Sequence, residues 1–529
     1  MSVPFPGFLG PSYSLENRYA SVERLVNWYL IANEAAQEES KFSFITQPCP
    51  GNAQFGTLPV PAPFNQPNRG LLEVRGKVFG VNGDTVFEMF SDGSYGTLGG
   101  PATIANDGKP VSMSVNGNRQ IFIASAGQGY VIDAIGGLNA IPIGDFLGAS
   151  YSTAQDNYIL NVIPNSNRFQ ISGTDADPVG NALVWSALNF QGLQGQADFL
   201  RAITSSRQYL RLFGYRRSQV WQDVGNNGIG GFPFASYNQT IIETGLGATF
   251  SVAKMGDSLM WIGEDERGQR ACWHDASFSP QRASTFAVER AWQGYSSIDD
   301  AVAFPFIWMG HLFYQITFPS AVVDAFGNKT ARTWLWDSTV SQLTGRNIWS
   351  ERTYTPPSGV EQGRPELFHA YCFGKHLVGS GGGDSNPGAI YQYSNTAYTD
   401  IGIDPISGVQ IASPMVYERV CPHLYEVDQN VVYNRITFEV ARGVGLDGGV
   451  VPGTNPMLLL RWSDDGGNTF GTEYALPMGK IGEYVKRVYL NQLGYAPRGG
   501  GGRVFSVRCT DPVYNSLISA QLDFYGCAP

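Results

Sequence analysis

The sequence predicts an all-β protein with a β-propeller-like domain of about six or seven degenerate blades and a C-terminal β-sandwich-like domain. Three features of the composition support this prediction. Only 15% of the 529 residues are charged, 13% are aromatic, and the chain has 64 glycines and 31 prolines. A disordered chain would carry more charge and fewer aromatics, and a coiled coil would need helix-forming residues at heptad spacing. Many aromatics, many turn formers and few charges are typical of a large protein built from short strands.

Residues 1–70 are predicted to form a proline-rich N-terminal arm. The proline density of residues 4–8 and 59–64 disfavours a central strand and favours an extended or edge conformation. Between these stretches, residues 15–39 have the best helical or mixed character in the chain. Within them, residues 25–30 have the composition of a strand equally well.

A degenerate repeat runs through residues 71–400 and predicts the propeller. Each unit has a short apolar strand, a turn and a second strand with alternating apolar and polar positions. The first strands are separated by 43, 37, 51, 50, 53 and 64 residues, near the spacing of propeller blades. They begin at Lys77, Gln120, Asn157, Gln208, Ser258, His311 and Lys375, and their partners begin at Thr85, Gly129, Arg168, Gln219, Ala271, Thr333 and Ala389.

The rhythm changes in residues 401–529, where the predicted strands become longer. Longer strands separated by turn signals indicate a β-sandwich-like platform domain. The predicted strands cover residues 431–440, 457–462, 484–490, 504–509 and 519–525.

Charge and cysteine content restrict the class of protein. The net charge is −10, which is unsuited to gripping duplex DNA, although an acidic protein can surround DNA that slides past it. The start of the chain has no basic segment of a secretory signal, and residues 301–309 are too short to span a bilayer, so no membrane insertion is expected. The six cysteines are widely spaced and favour buried free thiols. Only Cys509 and Cys527 are close enough in sequence to suggest a disulfide, and that pairing stays open.

One short motif has the pattern of an Asp-box hairpin turn. In such a turn the Asp carboxylate accepts backbone N–H groups, a glycine adopts a positive φ and an aromatic ring packs beneath. One copy supplies no catalytic group, so a structural turn is the favoured interpretation. The residues are Ser463, Asp465, Gly467, Thr469 and Phe470.

A set of histidines and cysteines has the residue types of a zinc site but not the spacing. His369 and Cys372 would face opposite sides of a strand, and neither a CxxC nor an HxxxH pair occurs. His376, Cys421 and His423 complete the set. Core or surface positions are the favoured interpretation, and neither a metal nor a cofactor is predicted.

The most basic segment contains five arginines interleaved with two tyrosines. Arginine beside aromatic rings can contact phosphates and stack on bases, so a nucleic-acid or subunit contact is one interpretation. The negative charge of the whole chain favours pairing with acidic neighbours instead. The arginines are Arg201, Arg207, Arg211, Arg216 and Arg217, with Tyr209 and Tyr215 between them.

No catalytic motif stands out. A P-loop, an HExxH motif and a GxSxG motif are all absent from the sequence, and the acidic groups lie in turn-like contexts. The chain is therefore not expected to be an enzyme.

The order of several segments resembles the packaged-DNA stabilisation proteins of short-tailed bacteriophages, also called tail hub or nozzle proteins. The likeness covers about residues 70–529, and its motifs are turns and blade strands whose order is more specific than any one of them. The matching segments are residues 245–248, 257–263, 310–314, 317–319, 333–337, 461–467, 482–484, 487–488, 493–494, 503–505 and 511–513.

This resemblance implies a structural virion protein that forms a homohexameric ring at the tail tip. The ring would continue the DNA channel below the portal and the head-to-tail adaptor ring, retain packaged double-stranded DNA without sequence-specific binding, and dock spike, fibre or needle proteins. Assembly would take place in the host bacterial cytoplasm. The alternative is a propeller-type carbohydrate-binding or glycan-degrading virion protein, which the Asp-box motif and the aromatic content suggest.

Overall fold

The computed structural model describes residues 2–34, 43–55, 66–98, 103–117, 119–132, 137–174, 183–193, 198–225, 231–264, 268–356, 359–381, 387–403, 410–424, 430–449, 451–497 and 501–527. Its N-terminal strands are β1 (Ser2–Pro4), β2 (Tyr13–Ser14), β3 (Val22–Val26), β4 (Trp28–Ala32), β5 (Phe44–Pro48) and β6 (Gly51–Gln54). The proline-rich residues 59–64 lie outside the described residues.

Seven four-stranded antiparallel blades follow among the described residues, each with one predicted strand pair at its centre. Blades 1 to 3 contain β7 (Asn68–Val74), β8 (Lys77–Asn82), β9 (Thr85–Met89), β10 (Tyr95–Thr97); β11 (Ser112–Val115), β12 (Ile121–Ser125), β13 (Gln128–Ile132), β14 (Leu138–Ala140); and β15 (Tyr151–Gln155), β16 (Tyr158–Val162), β17 (Arg168–Ser172), β18 (Trp185–Gly192).

Blades 4 and 5 contain β19 (Leu200–Ser206), β20 (Tyr209–Gly214), β21 (Ser218–Asp223), β22 (Phe234–Ile242); and β23 (Ala253–Met255), β24 (Ser258–Glu264), β25 (Arg270–Asp275), β26 (Gln281–Arg282). Helix α1 (Phe286–Gln293) leads to blade 6, which contains β27 (Val302–Trp308), β28 (His311–Val323), β29 (Lys329–Asp337) and β30 (Trp349–Tyr354), with helix α2 (Ser338–Thr344) before its last strand. Strand β31 (Gln362–Gly363) pairs with β30. Blade 7 contains β32 (Glu366–Cys372), β33 (Lys375–Ser380) and β34 (Ile390–Ser394).

Over the residues that the structure describes, the propeller core consists of seven hydrophobic clusters, one between each pair of neighbouring blades. For example, Phe213 of blade 4 packs with Trp261 of blade 5. The ring closes because Val78 and Met89 of blade 1 share a cluster with Leu377 of blade 7. Alternating apolar positions on every blade strand produce this arrangement, since each sheet must bury both of its faces.

The fourth strand of blade 7 comes from the N-terminus. Strand β6 pairs with β34, with Gly51 opposite Ser394 and Gln54 opposite Tyr391. Gly51 is required here because a Cβ atom would lie 2.0 Å from the backbone oxygen of Ala397. The first and last parts of the propeller sequence are therefore joined by backbone hydrogen bonds, which ties the ring shut.

The C-terminal domain is a sandwich of two sheets. Its strands are β35 (Thr399–Ile403), β36 (Gln410–Pro414), β37 (Tyr417–Val420), β38 (Asn430–Val440), β39 (Met457–Ser463), β40 (Tyr474–Pro477), β41 (Val488–Ala496), β42 (Val504–Cys509) and β43 (Leu517–Cys527). One sheet has the order β1-β43-β38-β41, and the other continues from blade 6 in the order β30-β3-β37-β42-β39-β40. Hairpins β4–β5 and β35–β36 are separate two-stranded sheets. The core between the sandwich sheets includes Phe8, Ile436 and Phe505.

The fold class is confirmed, and several element predictions need correction. Of the two alternatives left open for residues 25–30, the structure has strands, and their apolar side chains enter the cores of both domains. The described part of residues 1–70 pairs within the sheets instead of projecting as an arm, although β1 is an edge strand as its proline indicated. The strand predicted at residues 484–490 begins only at Val488. The domain boundaries at 70 and 400 stay predictions.

Two further sequence expectations concern the cysteines and the membrane. Among the described side chains, Cys49, Cys272, Cys372, Cys421 and Cys509 are buried free thiols. The side chain of Cys527, the proposed partner of Cys509, lies outside them. Within the described ranges, no helix has the length and apolar character needed to cross a bilayer.

Candidate functional site

Strand β3 joins the propeller to the sandwich, and one charged residue on it, Arg24, binds carboxylates on both sides of the joint. Strand β3 lies between β30 of blade 6 and β37 of the sandwich. From β3, the Nη2 atom of Arg24 lies 2.7 Å from Glu351 Oε2 and 3.1 Å from Glu361 Oε1, and its Nη1 lies 3.6 Å from Glu418 Oε2. One guanidinium therefore binds carboxylates of both domains, which couples their orientations.

A buried network of charged residues holds the closing strand of the propeller. Arg364 donates to Glu366 Oε1 at 2.9 Å and to Asp400 Oδ1 at 2.6 Å, and all three side chains are inaccessible to solvent or nearly so. Arg352 donates to the Pro50 carbonyl oxygen at 2.6 Å, directly before β6. The amide of Asn52, within β6, donates to Glu366 Oε2 at 3.1 Å. The N-terminal strand is thus bound by side chains as well as by its ladder.

The network is charge-balanced, with two arginines and two carboxylates. Burial opposes the ionisation of Glu366, but Arg364 and Arg352 outweigh it and hold the pKa of its carboxyl below the usual range. A buried pair of this kind contributes little net stability compared with apolar packing, yet loss of one partner is costly. Its effect is therefore to specify how the ring closes.

The Asp-box residues form one turn between β39 and β40. Asp465 Oδ1 accepts from the backbone N–H groups of Asn468 and Thr469, both at 2.9 Å, and Oδ2 accepts from the Thr469 hydroxyl at 2.6 Å. Gly467 has a φ of 83° and donates its N–H to Ser463 Oγ at 2.9 Å. Phe470 packs against Val22, Val420 and Val504 of the neighbouring strands.

The chemistry of Asp465 is that of a structural acceptor. Hydrogen bonds from Ser463 and Thr469 hold the pKa of its carboxyl well below the usual range. A general acid needs a raised pKa. The geometry therefore supports a turn-stabilising carboxylate.

The arginine-rich segment is paired inside its own chain. Arg201 donates to the carbonyl oxygens of Leu246 and Gly247 at 2.8 and 2.6 Å and stacks on Tyr215 at 4.7 Å. Arg217 Nε lies 2.7 Å from Glu243 Oε2, and Arg207 donates to the Ala276 carbonyl oxygen at 2.7 Å.

The other two arginines of that segment, Arg211 and Arg216, differ in their exposure to solvent. Arg211 is buried and forms an ion pair with Asp275. Arg216 is exposed, and its backbone N–H donates to Asp198 Oδ2 at 2.9 Å. The five arginines are thus distributed over blade 4 and its boundary with blade 5, and they do not form one basic surface.

The histidine and cysteine set is divided between the two domains. His369 and His376 lie on adjacent strands of blade 7, with Nε2 and Nδ1 3.0 Å apart. Cys372 contacts a different cluster, between blades 7 and 1. Cys421 belongs to the sandwich core, where its Sγ lies 3.8 Å from the Phe8 carbonyl oxygen. His423 follows it by two residues, after strand β37 of the sandwich. In the described part of the chain, no three His, Cys, Asp or Glu side chains are grouped to hold a metal ion.

One end of the sandwich exposes a group of apolar side chains. The loops at residues 441–456 and 478–487 contact each other through the Gly482 N–H and the Gly443 carbonyl oxygen, 3.3 Å apart. Their exposed side chains are called the sandwich-end patch and comprise Leu446, Val451, Ile481, Tyr484 and Val485. Contiguous exposed apolar residues on a folded protein mark contact surfaces.

Sequence reasoning missed three of these features: the Arg24 joint, the Arg352–Arg364–Glu366–Asp400 network and the sandwich-end patch. Each brings together residues far apart in the chain, so no local spacing reveals it. The one available signal was Arg364 and Glu366 two residues apart, which places both charges on one face of an extended segment.

The fold and these sites define a two-domain protein in which a closed seven-bladed propeller is fused, through a shared sheet, to a β-sandwich. Residues 65–397 match the β-propeller of bacteriophage P22 Gp10, and residues 416–524 match the β-sandwich of the same protein. The chain belongs to the bacteriophage P22 Gp10 family, the family of a DNA stabilisation protein. It is accordingly a structural protein of a phage tail and a virion component.

No curated protein matches the chain. Among solved structures, a chain of the mitotic checkpoint complex is 11% identical, covering 69% of this chain and 98% of its own, with a TM-score of 0.35. The computationally designed Ika8 protein is 10% identical, covering 70% and 99%, with a TM-score of 0.32. PorZ of Porphyromonas gingivalis is 11% identical, covering 80% and 46%, with a TM-score of 0.32. These TM-scores are too low for any conclusion about function to follow.

Proposed function

We propose that this tail protein forms a homohexameric ring at the tail tip, a hub or nozzle. There it continues the DNA channel below the portal and adaptor, retains packaged DNA until ejection, and docks spikes, fibres or a needle. Its assembly takes place in the host bacterial cytoplasm. The observation that supports this role best is the shared sheet from blade 6 into the sandwich, because it makes one stiff unit of two domains.

A stiff unit suits a part that bears load at the end of a pressurised channel. Strand β3 adds backbone hydrogen bonds between the domains, and Arg24 binds Glu351 on one side and Glu418 on the other. Domains joined by a flexible linker would move independently. The exposed blade loops on this frame offer docking positions for other tail proteins.

The sandwich-end patch supports subunit contact in the ring. Val485 is 91% exposed, and the neighbouring Tyr484 and Ile481 are also exposed. Permanent subunit interfaces have apolar cores depleted in charge. Burial of this patch against a second copy would remove it from water and stabilise the ring.

The charge distribution supports a channel that does not grip DNA. The net charge is −10, and Arg201, Arg211 and Arg217 are paired with carboxylates of the same chain. Acidic surfaces repel phosphates and would let DNA pass without sequence-specific binding. The role is structural rather than enzymatic, in keeping with the engagement of Asp465 in its own turn.

Negative-stain microscopy of the purified chain, with mass measurement in solution, tests the ring. We expect six-fold rings from the unaltered chain and monomers from Val485→Asp. Phe326→Asp is the matched control, since Phe326 is also 91% exposed but lies at the β28–β29 hairpin of the propeller. A monomeric unaltered chain at all concentrations would refute the ring. Loss of the ring in Phe326→Asp but not in Val485→Asp would move the interface to the propeller.

DNA retention requires an experiment in the particle. Phage assembled with Arg24→Met, which loosens the joint, should lose packaged DNA faster on warming than phage with the exposed control Arg216→Met. Equal DNA loss from both particles would contradict a role of the joint in retention.

A further inference from the structure

A cavity of about 220 Å³ lies between blades 4 and 5, beside the Arg211–Asp275 ion pair of the arginine-rich segment. Its walls are mainly apolar and include Leu210, Val220, Leu259 and Phe278. Arg211 and Asp275 also line it, and Arg207 with Asp257 is placed at the turns beside it. A cavity of this size suits a group of about one ring, with the charged residues as orienting contacts.

The buried charges of the cavity have more donors than acceptors. Asp275 Oδ2 pairs with Arg211 Nη2, while its Oδ1 accepts from the backbone N–H groups of Ser277 and Ser279, both at 3.0 Å. Arg211 is 3% exposed, and in the described structure its Nε and Nη1 atoms have no hydrogen-bond partner. Buried N–H donors without acceptors are costly, so the site would gain from an added acceptor.

The charge of Arg211 is also incompletely compensated. Its one carboxylate partner, Asp275, is already shared with two backbone donors. Burial lowers the pKa of the Arg211 guanidinium to about 10. A second anionic acceptor would therefore be favoured over a neutral one.

Phe278 covers this arginine in a strained conformation. Its φ is 61°, which a residue with a large side chain rarely adopts, and its ring centre lies 5.8 Å from the Arg211 guanidinium carbon. The ring also packs on Tyr209 at 5.1 Å and on Tyr237 at 5.9 Å. Strain of this kind is maintained by the surrounding structure and is found at ligand clamps.

We propose that the cavity between blades 4 and 5 binds a small carboxylate with an aromatic or aliphatic body. The carboxylate accepts from Arg211, on the side that Asp275 leaves free, and the body packs against Leu210, Val220 and Leu259. Phe278 turns aside to admit it. Arg207 and Asp257 stand together beside the entrance, 3.7 Å apart. The same chemistry describes a free aromatic acid and the C-terminal carboxylate of a partner chain.

Calorimetry on the full chain with benzoate tests the site, with benzyl alcohol as the neutral compound of matched shape. We expect benzoate to bind with a dissociation constant of about 1 mM or below, as fits a ligand of this size. Benzyl alcohol should bind at least about tenfold more weakly, because a neutral acceptor compensates the arginine less well. If benzoate does not bind the unaltered chain, or if the two compounds bind with equal affinity, the proposal is refuted, and no variant is needed to show it.

Variants then locate the bound carboxylate. Arg211→Met should weaken benzoate binding at least about tenfold, and the same substitution at the exposed Arg216 should leave it unchanged. Phe278→Gly removes both the cover and the unfavourable φ, so benzoate should bind at least as tightly as in the unaltered chain. Equal binding by Arg211→Met, with the circular dichroism of the folded chain, refutes the assignment. If Arg211→Met does not fold, weakened binding by Phe278→Gly refutes it instead.

The two sources of the ligand are distinguished by a peptide. The tripeptide Gly-Gly-Phe with a free C-terminal carboxylate is compared with its C-terminal amide. Tighter binding of the free tripeptide than of benzoate supports a partner chain terminus as the ligand, and tighter binding of benzoate supports a free acid. Equal binding of the tripeptide and its amide contradicts recognition of the carboxylate.

Discussion

Arginines are buried in two different ways at two blade boundaries. The first boundary lies between blades 6 and 7, and the second lies between blades 4 and 5. At the first boundary, Arg364 pairs with two buried carboxylates, and the same network reaches the closing strand β6. At the second, Arg211 pairs with one carboxylate that is already satisfied by backbone donors, and a cavity lies beside it. The first boundary is closed by a charged network, and the second has a cavity beside its ion pair. In the described structure, buried arginine N–H groups without a partner occur at both boundaries, on Arg352 and Arg364 as well as on Arg211.

This difference indicates why a propeller of similar blades can have unequal boundaries. Apolar clusters between blades fix distance but not register, because alternating side chains of similar size can shift. A charged network with fixed geometry selects one arrangement, and it lies where the ring must close. The boundary that need not close the ring can retain a cavity.

The largest expected effect on stability comes from replacing the buried arginine of each boundary, Arg364 or Arg211, by methionine. Arg364→Met leaves Glu366 and Asp400 buried with too little positive charge, and we expect the free energy of unfolding to fall by about 3–5 kcal/mol. Arg211→Met leaves Asp275 with two backbone donors, so the loss should be about 1 kcal/mol. Denaturant unfolding measures both, with Arg216→Met as the exposed control. Equal losses would mean that the two boundaries do not differ as described.

The closing strand is tested next. Gly51→Ala places a Cβ atom 2.0 Å from the Ala397 backbone oxygen, which must displace β6. We expect a loss of about 1–3 kcal/mol of unfolding free energy and faster proteolysis of the N-terminal segment. Gly96→Ala in β10 is the control, since its Cβ would lie 3.7 Å from the Phe90 ring. If Gly51→Ala is as stable as the unaltered chain, strand β6 can shift without loss of unfolding free energy, and the close contact at Gly51 does not matter for closure.

The blades could be predicted from the sequence, but their closure could not. Every predicted strand pair is a local hairpin with alternating side chains, and most have a glycine in or near the turn, as with β8 and β9. The Asp-box turn is local in the same sense. By contrast, β6 pairs with β34 from the far end of the propeller, and Arg211 meets Asp275 across two blades. Such contacts depend on the assembled ring, which no spacing in the sequence encodes.

A smaller effect concerns pH at the closed boundary. Burial, assisted by His376, lowers the pKa of His369 to about 3, and its ring stacks on Phe304 at 5.5 Å. The unfolded chain takes up a proton at its ordinary pKa of about 6.5, while the folded chain does not. Stability from this group is therefore complete above about pH 6.5 and is lost as the pH falls toward 3.

His369→Phe tests this origin of the pH dependence. Because His369 is partly accessible, we expect the unaltered chain to lose on the order of 1 kcal/mol of unfolding free energy between pH 7 and pH 5 through this residue. The variant should lose less over the same range, as measured by thermal or denaturant unfolding at each pH. Parallel pH profiles of the two chains would assign the effect to other groups.

The smallest effect is expected at the exposed turn of the sandwich, where a carboxylate is bound by local donors rather than by buried arginines. Asp465→Asn keeps a carbonyl oxygen for the N–H groups of Asn468 and Thr469 but removes the charge and one acceptor. We expect the free energy of unfolding to fall by about 0.5 kcal/mol, because water replaces the missing contacts at an exposed site.

The same substitution has a predicted pH dependence. Since hydrogen bonds from Ser463 and Thr469 hold the pKa of Asp465 well below its usual range, the stability that Asp465 contributes is present above about pH 4 and is lost as the pH falls further. The variant and the unaltered chain should therefore become equally stable in strong acid. A loss as large as that of Arg364→Met would mean that a surface carboxylate matters to this fold as much as the buried network.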